Sequence, residues 1–235
     1  MTWGSDSWYG FPSKPFEVEF IPRNNSEIAR KMINSDVAAV IVEPIQGVAG
    51  AFDLSEEFLR TIRDECNDHS ALMIVDEVQS GMGRSGEYFA IQNFNIEPDI
   101  MTAAKSLGGG LPCSVIFISN LLDETIKKGD LGSTFGGNPV ICSAIEFVIQ
   151  YIKEKNLLNN VIEREKEIRD LCITGPVNGI QGKGLLLGLI TDQPAHEIKK
   201  KLLKNNILTG LSSDPSVLRL LPPLVLQSKH IEKLS

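Results

Sequence analysis

Positions 71–79 hold the stretch that decides the fold, Ala71-Leu72-Met73-Ile74-Val75-Asp76-Glu77-Val78-Gln79. Its first five residues form a continuous apolar run, which is typical of a buried strand in a parallel sheet. A similar run at residues 37–42 ends in Glu43-Pro44, and a helical pattern from about Ser55 to Asn67 separates the two runs. Strand, helix and strand make a βαβ unit with a right-handed crossover. The sequence therefore predicts an α/β fold with a mostly parallel sheet.

Acids at the strand ends are the first functional signal. Glu43 and Asp76 each stand where a predicted strand finishes. Because ligands of parallel α/β sheets bind beyond the carboxyl ends of the strands, we expect both carboxylates to face one crevice. Either acid alone is more typical of a polar residue that simply terminates a strand.

A lysine in a glycine-rich loop is the second signal. Lys105 lies in Thr102-Ala103-Ala104-Lys105-Ser106-Leu107-Gly108-Gly109-Gly110. An amine beside such a loop, with a strand-end carboxylate nearby, suits pyridoxal phosphate (PLP): the amine forms a Schiff base with the aldehyde, and Asp76 pairs with the pyridinium nitrogen. Taken alone, Lys105 would be interpreted as a surface lysine before a turn. Together with Glu43 and Asp76, it favours a catalytic site in which Lys105 also moves a proton.

Other residues complete the predicted cofactor site. Gln79 is placed to donate a hydrogen bond to the phenolic oxygen of the ring, and Val78 to pack on the ring face. Ser133 and Thr134 come shortly before Pro139, where helical spacing begins. Hydroxyls and backbone amides at the start of a helix suit a phosphate. Ordinary helix capping with a tight turn explains this last segment equally well.

Composition excludes several other classes of protein. The 235 residues carry a net charge of -7, with a pI of about 5.1, which disfavours nucleic acid and anionic membrane as main partners. Four cysteines and three histidines are spread out without metal-ligand spacing, so no metal site is expected and a reducing cytoplasm fits best. No apolar run is long enough to span a membrane, and the first residues do not resemble a signal peptide. The first strand is not followed by GxGxxG, which argues against a dinucleotide-binding domain.

The remaining pattern predicts two units. Residues 1–25 suggest loop with a short alternating strand at 16–20, and residues 26–33 a short helix. Apolar runs at residues 100–104 and 115–119 predict two more strands of the first sheet. We expect residues 1–155 to be the C-terminal portion of a large cofactor-binding domain, and residues 156–235 to be a small, incomplete α+β domain. Helices are predicted from Pro139 onward, from Leu157 to Leu171 and near residues 195–205, with strands near 184–190 and 217–221.

Four ordered motifs carry a specific resemblance. The motifs are Glu43-Pro44-Ile45-Gln46-Gly47, residues 76–86 (DEVQSGMGRSG), Ala104-Lys105-Ser106-Leu107-Gly108-Gly109-Gly110 and residues 132–139 (GSTFGGNP). With these motifs the chain resembles the class III PLP-dependent aminotransferases, and among them the acetylornithine and ornithine type, from about Val37 to its C-terminus.

The resemblance implies fold type I and a homodimer with active sites at the subunit interface. By motif position, Lys105 is the Schiff-base lysine, Asp76 the pyridinium partner, and Gln79 and Val78 the ring contacts. Thr134 contacts the phosphate held by the neighbouring subunit, and Glu43 supports the hydrogen-bond network. Arg219 matches the position that grips a substrate carboxylate; without the resemblance it would be interpreted as a surface arginine on an edge strand.

The implied reaction is transfer of an amino group from N-acetylornithine to 2-oxoglutarate, with small amino acids and 2-oxo acids as the ligands. Free ornithine, 4-aminobutyrate, N-succinylornithine and a lysine-pathway analogue remain open as donors. A non-catalytic fragment, or a subunit that needs a separately encoded N-terminal portion, is the alternative of a different class.

Two departures from the family pattern matter. Many relatives carry a glutamate where this chain has Val48, and that glutamate is thought to gate a substrate arginine. By the resemblance, this sequence is also expected to correspond to the C-terminal two-thirds of a family member, without the N-terminal part that in the family supplies a phosphate-binding loop and a ring-stacking aromatic residue. We therefore expect the isolated chain to bind PLP weakly or not at all, and to leave a sheet edge and apolar faces exposed.

Overall fold

The computed structural model describes residues 16–234, and the predictions for residues 1–15 lie outside that range. The predicted strand at residues 16–20 is wrong, since none of these residues is in a strand. Their alternation creates no buried face: Phe16 is 59% exposed and Phe20 is 48% exposed. Hydrophobic alternation predicts a strand only where one face packs on a core.

The described residues form ten strands and seven α-helices, together with two short 3-10 helices at Ala90–Phe94 and Lys105–Gly108. The strands are β1 (Ala39–Val42), β2 (Ile45–Gln46), β3 (Phe52–Asp53), β4 (Leu72–Asp76), β5 (Ile100–Ala104), β6 (Ser114–Ile118), β7 (Val177–Lys183), β8 (Leu186–Thr191), β9 (Gly210–Leu211) and β10 (Val217–Leu220). The helices are α1 (Ser26–Met32), α2 (Glu56–His69), α3 (Asn120–Asp123), α4 (Pro139–Glu154), α5 (Leu157–Leu171), α6 (Ala195–Lys204) and α7 (Ser228–Ile231).

The first sheet has the strand order β1-β4-β5-β6. Strands β1, β4 and β5 are parallel, and β6 runs antiparallel along β5. Val42 pairs with Val75, and Asp76 pairs with Thr102. The carboxyl ends of β1, β4 and β5 therefore lie side by side, which confirms the predicted α/β fold and its mostly parallel sheet.

Helix α2 shows why the first unit folds as predicted. The Ser55 side chain caps its N-terminus by accepting a hydrogen bond from the Phe58 amide at 3.2 Å, and two acids occupy the first turn, where the helix dipole favours negative charge. Its apolar stripe is buried with the strands of the first sheet in one core, which includes Phe58, Leu59, Ile62 and Cys66. Packing of this stripe fixes the crossover between β1 and β4.

The C-terminal sheet has the order β7-β8-β10-β9 and is antiparallel throughout. A second core, which includes Val161, Leu187, Leu189 and Leu218, joins this sheet to helices α5, α6 and α7. Strand β7 was not predicted: its sequence contains two glycines and no apolar alternation, yet it pairs with β8 through a register shift near Gly179. The division after residue 155 stays a prediction, although a left-handed Asn156 (φ 49°) stands between α4 and α5.

None of the helices in the described part of the chain is both long and apolar enough to cross a membrane.

Candidate active site

Three chemically active side chains meet at the carboxyl end of the first sheet. Glu43 directly follows β1, Asp76 ends β4, and Lys105 directly follows β5. Neighbouring parallel strands place these positions next to one another. Burial raises the pKa of the Glu43 carboxyl; the amide of Gly47 opposes the rise, the negative charge of Asp76 adds to it, and the positive charge of Lys105 opposes it. The charges of Asp76 and Lys105 thus both act on Glu43.

Asp76 is held by hydrogen bonds to one of its two carboxylate oxygens. Oδ1 accepts from the Val78 amide at 2.9 Å and from the Thr102 hydroxyl at 3.2 Å. Both bonds recorded for Asp76 in residues 16–234 end on Oδ1. Oδ2 is therefore left for an outside donor, such as a protonated ring nitrogen.

Lys105 is exposed and has an unusual backbone conformation. Its φ is 49°, in the left-handed region that costs a residue with a Cβ about 1–3 kcal/mol. The 3-10 helix that it begins ends at Gly108 and is capped by Gly109 (φ 60°), and a side-chain carbon of Val148 in α4 lies 2.9 Å from where a Cβ on Gly109 would be. The close packing of α4 requires glycine at this position, and the loop holds Lys105 in a strained geometry at the sheet end.

Gly47 connects three of the predicted site residues. Its amide donates to Glu43 Oε2 at 3.3 Å, and its carbonyl accepts from Arg219 Nη1 at 3.1 Å. A Cβ built on Gly47 would lie 2.5 Å from Oε1 of Gln79, so the Gln79 amide lies directly over this glycine. Glu43, Gln79 and Arg219 are therefore gathered around one backbone position, with the half-buried Val78 next to Gln79 in the chain.

Arg219 reaches this place from the second sheet. It lies on β10, and its Nε donates to the carbonyl of Leu211 at 2.7 Å. Burial lowers the pKa of its guanidinium. Within residues 16–234 the hydrogen bonds of the Arg219 side chain use Nε and Nη1, so Nη2 is left to bind a carboxylate. The alternative interpretation, a surface arginine on an edge strand, does not fit, since β10 lies between β8 and β9.

Ser133 and Thr134 are not brought to this cluster within the described residues. Both are exposed in the segment that precedes α4, where the only hydrogen bond recorded for them is from the Gly136 amide to the Ser133 carbonyl at 3.1 Å. The N-cap of α4 is Asn138, whose side chain accepts from the Val140 amide at 2.9 Å. Asn138, rather than Ser133 or Thr134, therefore caps the N-terminus of α4. The hydroxyls of Ser133 and Thr134 are exposed.

Two residues next to the cluster were missed by the sequence reasoning. Glu77 is only 1% exposed, and its carboxyl accepts from the Ser80 hydroxyl at 2.5 Å and from the Ile91 amide at 2.8 Å. Arg84 donates to two backbone carbonyls of the C-terminal unit. Strand alternation could have revealed Glu77, because successive side chains at the end of a strand point to opposite faces.

The fold and this cluster define an α/β enzyme domain with its acids and its amine at the carboxyl edge of the sheet. Residues 12–235 match the profile of the aminotransferase class-III family. The chain belongs to that family, and its fold is that of the fold type I PLP-dependent enzymes.

Individual relatives agree with this family. The chain is 35% identical over 239 residues to acetylornithine aminotransferase of Methanocaldococcus jannaschii, covering 96% of this chain and 58% of the relative. It is 37% identical over 215 residues to a putative [LysW]-aminoadipate semialdehyde/glutamate semialdehyde transaminase of Pyrococcus furiosus, covering 91% and 56%. The chain thus spans less than two thirds of the length of these relatives.

A solved structure matches the fold closely. Ornithine aminotransferase of Toxoplasma gondii, crystallised with oxidised glutathione, superposes with a TM-score of 0.88 at 28% identity, covering 97% of this chain and 56% of that one. That structure is described as having partial occupancy of PLP at its active site. PLP, the cofactor expected from Lys105 and Asp76, is therefore confirmed for the family.

Proposed function

We propose that this chain carries the cofactor-binding lysine and the substrate arginine of an aminotransferase. The enzyme moves an amino group from N-acetylornithine, or a related ω-amino acid, to 2-oxoglutarate. The proposal is carried by the adjacency of Glu43, Asp76 and Lys105 at the ends of three neighbouring parallel strands.

The residues of the site fit PLP. The cofactor needs an accessible amine, an acid for its ring nitrogen and a donor for its ring oxygen; Lys105, Asp76 and Gln79 provide these groups. When bound, PLP supplies an aldehyde that takes an amine and a ring that withdraws electrons. Asp76 Oδ2 would keep a proton on the ring nitrogen, because a carboxylate raises the pKa of a base with which it pairs. Gln79 orients the ring oxygen, and Val78 excludes water from one ring face.

Lys105 performs the chemical step that belongs to the protein. Its Nζ would hold the cofactor through the aldehyde, and as a free amine it would take and return a proton at the substrate carbon. Arg219 Nη2 holds the substrate carboxylate at a fixed place relative to this amine. Glu43 accepts the hydrogen bond of the Gly47 amide and so keeps the loop after β1 in position.

A second subunit is part of the proposal. Ser133 and Thr134 face outward, and their neighbours Leu131 and Phe135 are 73% and 81% exposed. Apolar side chains of this size beside two hydroxyls are typical of an interface. In a homodimer, Thr134, with Ser133 beside it, would contact the phosphate in the neighbouring active site.

The choice of amino donor rests on the relatives. One relative is named as an acetylornithine aminotransferase, and another as a putative [LysW]-aminoadipate semialdehyde/glutamate semialdehyde transaminase. Val48 cannot form the salt bridge of a gating glutamate, so Arg219 stays available to carboxylate ligands. We propose the reducing cytoplasm as its location, and the four free cysteines, Cys66, Cys113, Cys142 and Cys172, are compatible with that proposal.

A partner-dependent fragment is the second candidate, and the exposure of β6 favours it. Ile116, Phe117 and Ile118 on this edge strand are 64%, 41% and 37% exposed. An edge strand with this much apolar surface requires a covering polypeptide. In this case PLP binding appears only when a polypeptide that supplies the rest of the relatives' length is added.

Titration with PLP tests both candidates. When a polypeptide that supplies the rest of the relatives' length is present, the absorbance band of covalently bound cofactor should form with the wild-type chain and with Lys200→Ala, an exposed lysine of α6, and disappear with Lys105→Ala. A band that also forms with the wild-type chain alone would count against the partner-dependent fragment. Formation of the band with Lys105→Ala would contradict the assignment. Glutamate production from 2-oxoglutarate, compared across N-acetylornithine, ornithine, 4-aminobutyrate and N-succinylornithine, then identifies the donor.

A further inference from the structure

Arg84 joins the loop after Asp76 to the C-terminal sheet. Its Nη1 donates to the carbonyl of Leu185 at 3.2 Å and to the carbonyl of Pro222. Its own carbonyl accepts from the Leu185 amide at 2.8 Å. A Cβ on Gly184 (φ 61°) would lie 2.3 Å from that carbonyl oxygen, so the two backbones are in direct contact. The loop that begins with Asp76 is thus fixed to the second sheet at one place.

The two acceptors lie at the ends of neighbouring strands. Leu185 directly precedes β8, and Pro222 follows β10 by two residues. Strands β8 and β10 are antiparallel partners, with Leu220 opposite Leu187. One nitrogen therefore holds two adjacent strand ends, and one of these strands carries Arg219.

The electrostatics of Arg84 are unusual for a purely structural contact. Burial lowers the pKa of its guanidinium, and the acceptors of Nη1 are neutral carbonyls rather than carboxylates. Arg84 is a partly buried cation with no charged partner within residues 16–234, and such a group stabilises a fold less than an apolar side chain of similar size. Such a group provides fixed geometry, because its donors must point at particular acceptors.

We propose that Arg84 is a positioning residue for the substrate carboxylate. It sets the place of Arg219 relative to Asp76 and Gln79, and so the distance between the carboxylate-binding group and the cofactor ring. Arg84 itself touches neither ligand. This inference rests on the proposed function of Arg219, and it predicts an effect on carboxylate binding without an equal effect on cofactor attachment at Lys105.

Two substitutions of Arg84 separate the effect of its hydrogen-bond donors from the effect of its side-chain volume. Arg84→Met keeps most of the side-chain length and removes every donor. Arg84→Lys retains one ammonium, which can donate to both carbonyls because both bonds start from a single nitrogen, Nη1. Arg60→Met is the control, since Arg60 pairs with Glu56 on the exposed face of α2.

Three readouts are taken on the full chain in saturating PLP, together with a polypeptide that supplies the rest of the relatives' length: the affinity for glutarate by calorimetry, the fraction of Lys105 trapped by borohydride, and hydrogen exchange of the amides at residues 217–221. Arg84→Met should weaken glutarate binding about tenfold and speed exchange in that segment about tenfold, while trapping at Lys105 is unchanged. Arg84→Lys should restore most of the affinity, and Arg60→Met should match the wild type.

Unchanged glutarate affinity in Arg84→Met would overturn the inference. So would equal losses of glutarate binding and Lys105 trapping, because they indicate a general structural role, and so would a wild-type chain that binds no glutarate. If the wild type traps no PLP at Lys105 yet binds glutarate in a manner that depends on Arg84, the proposed function fails and the positioning role stands.

Discussion

The side chain of Gln79 lies over the α-carbon of Gly47, so close that a Cβ on this glycine would be 2.5 Å from Oε1 of the glutamine. This contact joins the loop after β1 to the loop after β4. The same glycine is bonded to Glu43 and to Arg219. The loop after β1 therefore controls the groups at both ends of the proposed ligand.

Gly47→Ala should displace the Gln79 amide and weaken the site. The methyl group would push the flexible end of the Gln79 side chain aside at a small cost in unfolding free energy, and the displaced amide should lower the yield of PLP trapped at Lys105. Urea unfolding and borohydride trapping measure the two effects. Gly179→Ala is the matched control, because a Cβ there would meet its nearest neighbour at an ordinary 3.5 Å. Identical behaviour of the two variants would contradict the role given to Gly47.

Asp76→Asn should remove the charge and leave the local structure intact. The amide oxygen of asparagine can still accept from Val78 and Thr102, so the melting temperature should change little. The apparent PLP affinity should fall about 10–100-fold, the size of a lost charge-assisted hydrogen bond. Fluorescence titration measures the affinity, with Asp64→Asn on the exposed side of α2 as the control. An undiminished affinity in Asp76→Asn would remove Asp76 from the cofactor site.

Glu77→Gln should change how stability depends on pH. Burial raises the pKa of the Glu77 carboxyl, while its bonds from Ser80 and Ile91 oppose the rise and the charge of Asp76 adds to it. A raised folded-state pKa means that this carboxyl contributes stability below its unfolded value of 4.5 and loses that contribution as pH rises through the folded value. The variant should therefore gain stability relative to the wild type between pH 4.5 and pH 8.

Denaturant unfolding at the two pH values measures this difference. Glu87→Gln, an exposed position in the same loop, is the comparison and should follow the wild type at both values. A constant difference between Glu77→Gln and the wild type across the range would show that Glu77 keeps its ordinary pKa in the folded chain.

Short windows of sequence predicted most of the strands and helices, because the apolar spacing that produces them lies within each element. Strand β5 at Ile100–Ala104 and helix α5 at Leu157–Leu171 coincide with their predicted bounds, since a short apolar run and a helical repeat are both visible in short windows. Strand β7 was missed because its pairing with β8 outweighs a glycine-rich sequence. The alternating pattern at residues 16–20 wrongly predicted a strand, because its apolar side chains Phe16 and Phe20 are exposed and do not pack on a core.

The residues of the candidate site also fall into those that the sequence could predict and those that it could not. Glu43, Asp76 and Lys105 could be grouped from sequence because strand ends of one sheet converge. Arg84 could not, since its acceptors Leu185 and Pro222 are 101 and 138 residues away along the chain. The meeting of Gly47 with Gln79 and Arg219 likewise depends on how the two sheets pack, which no short window contains.

Site-resolved trapping of the cofactor tests the central claim most directly. The chain is incubated with PLP, reduced with borohydride and digested, and the phosphopyridoxyl group is located by mass spectrometry, in the isolated chain and together with a polypeptide that supplies the rest of the relatives' length. We predict preferential labelling of Lys105 over the exposed lysines of α6, and loss of this preference in Asp76→Asn. Labelling spread evenly over the lysines, or concentrated at a residue other than Lys105, would contradict the account.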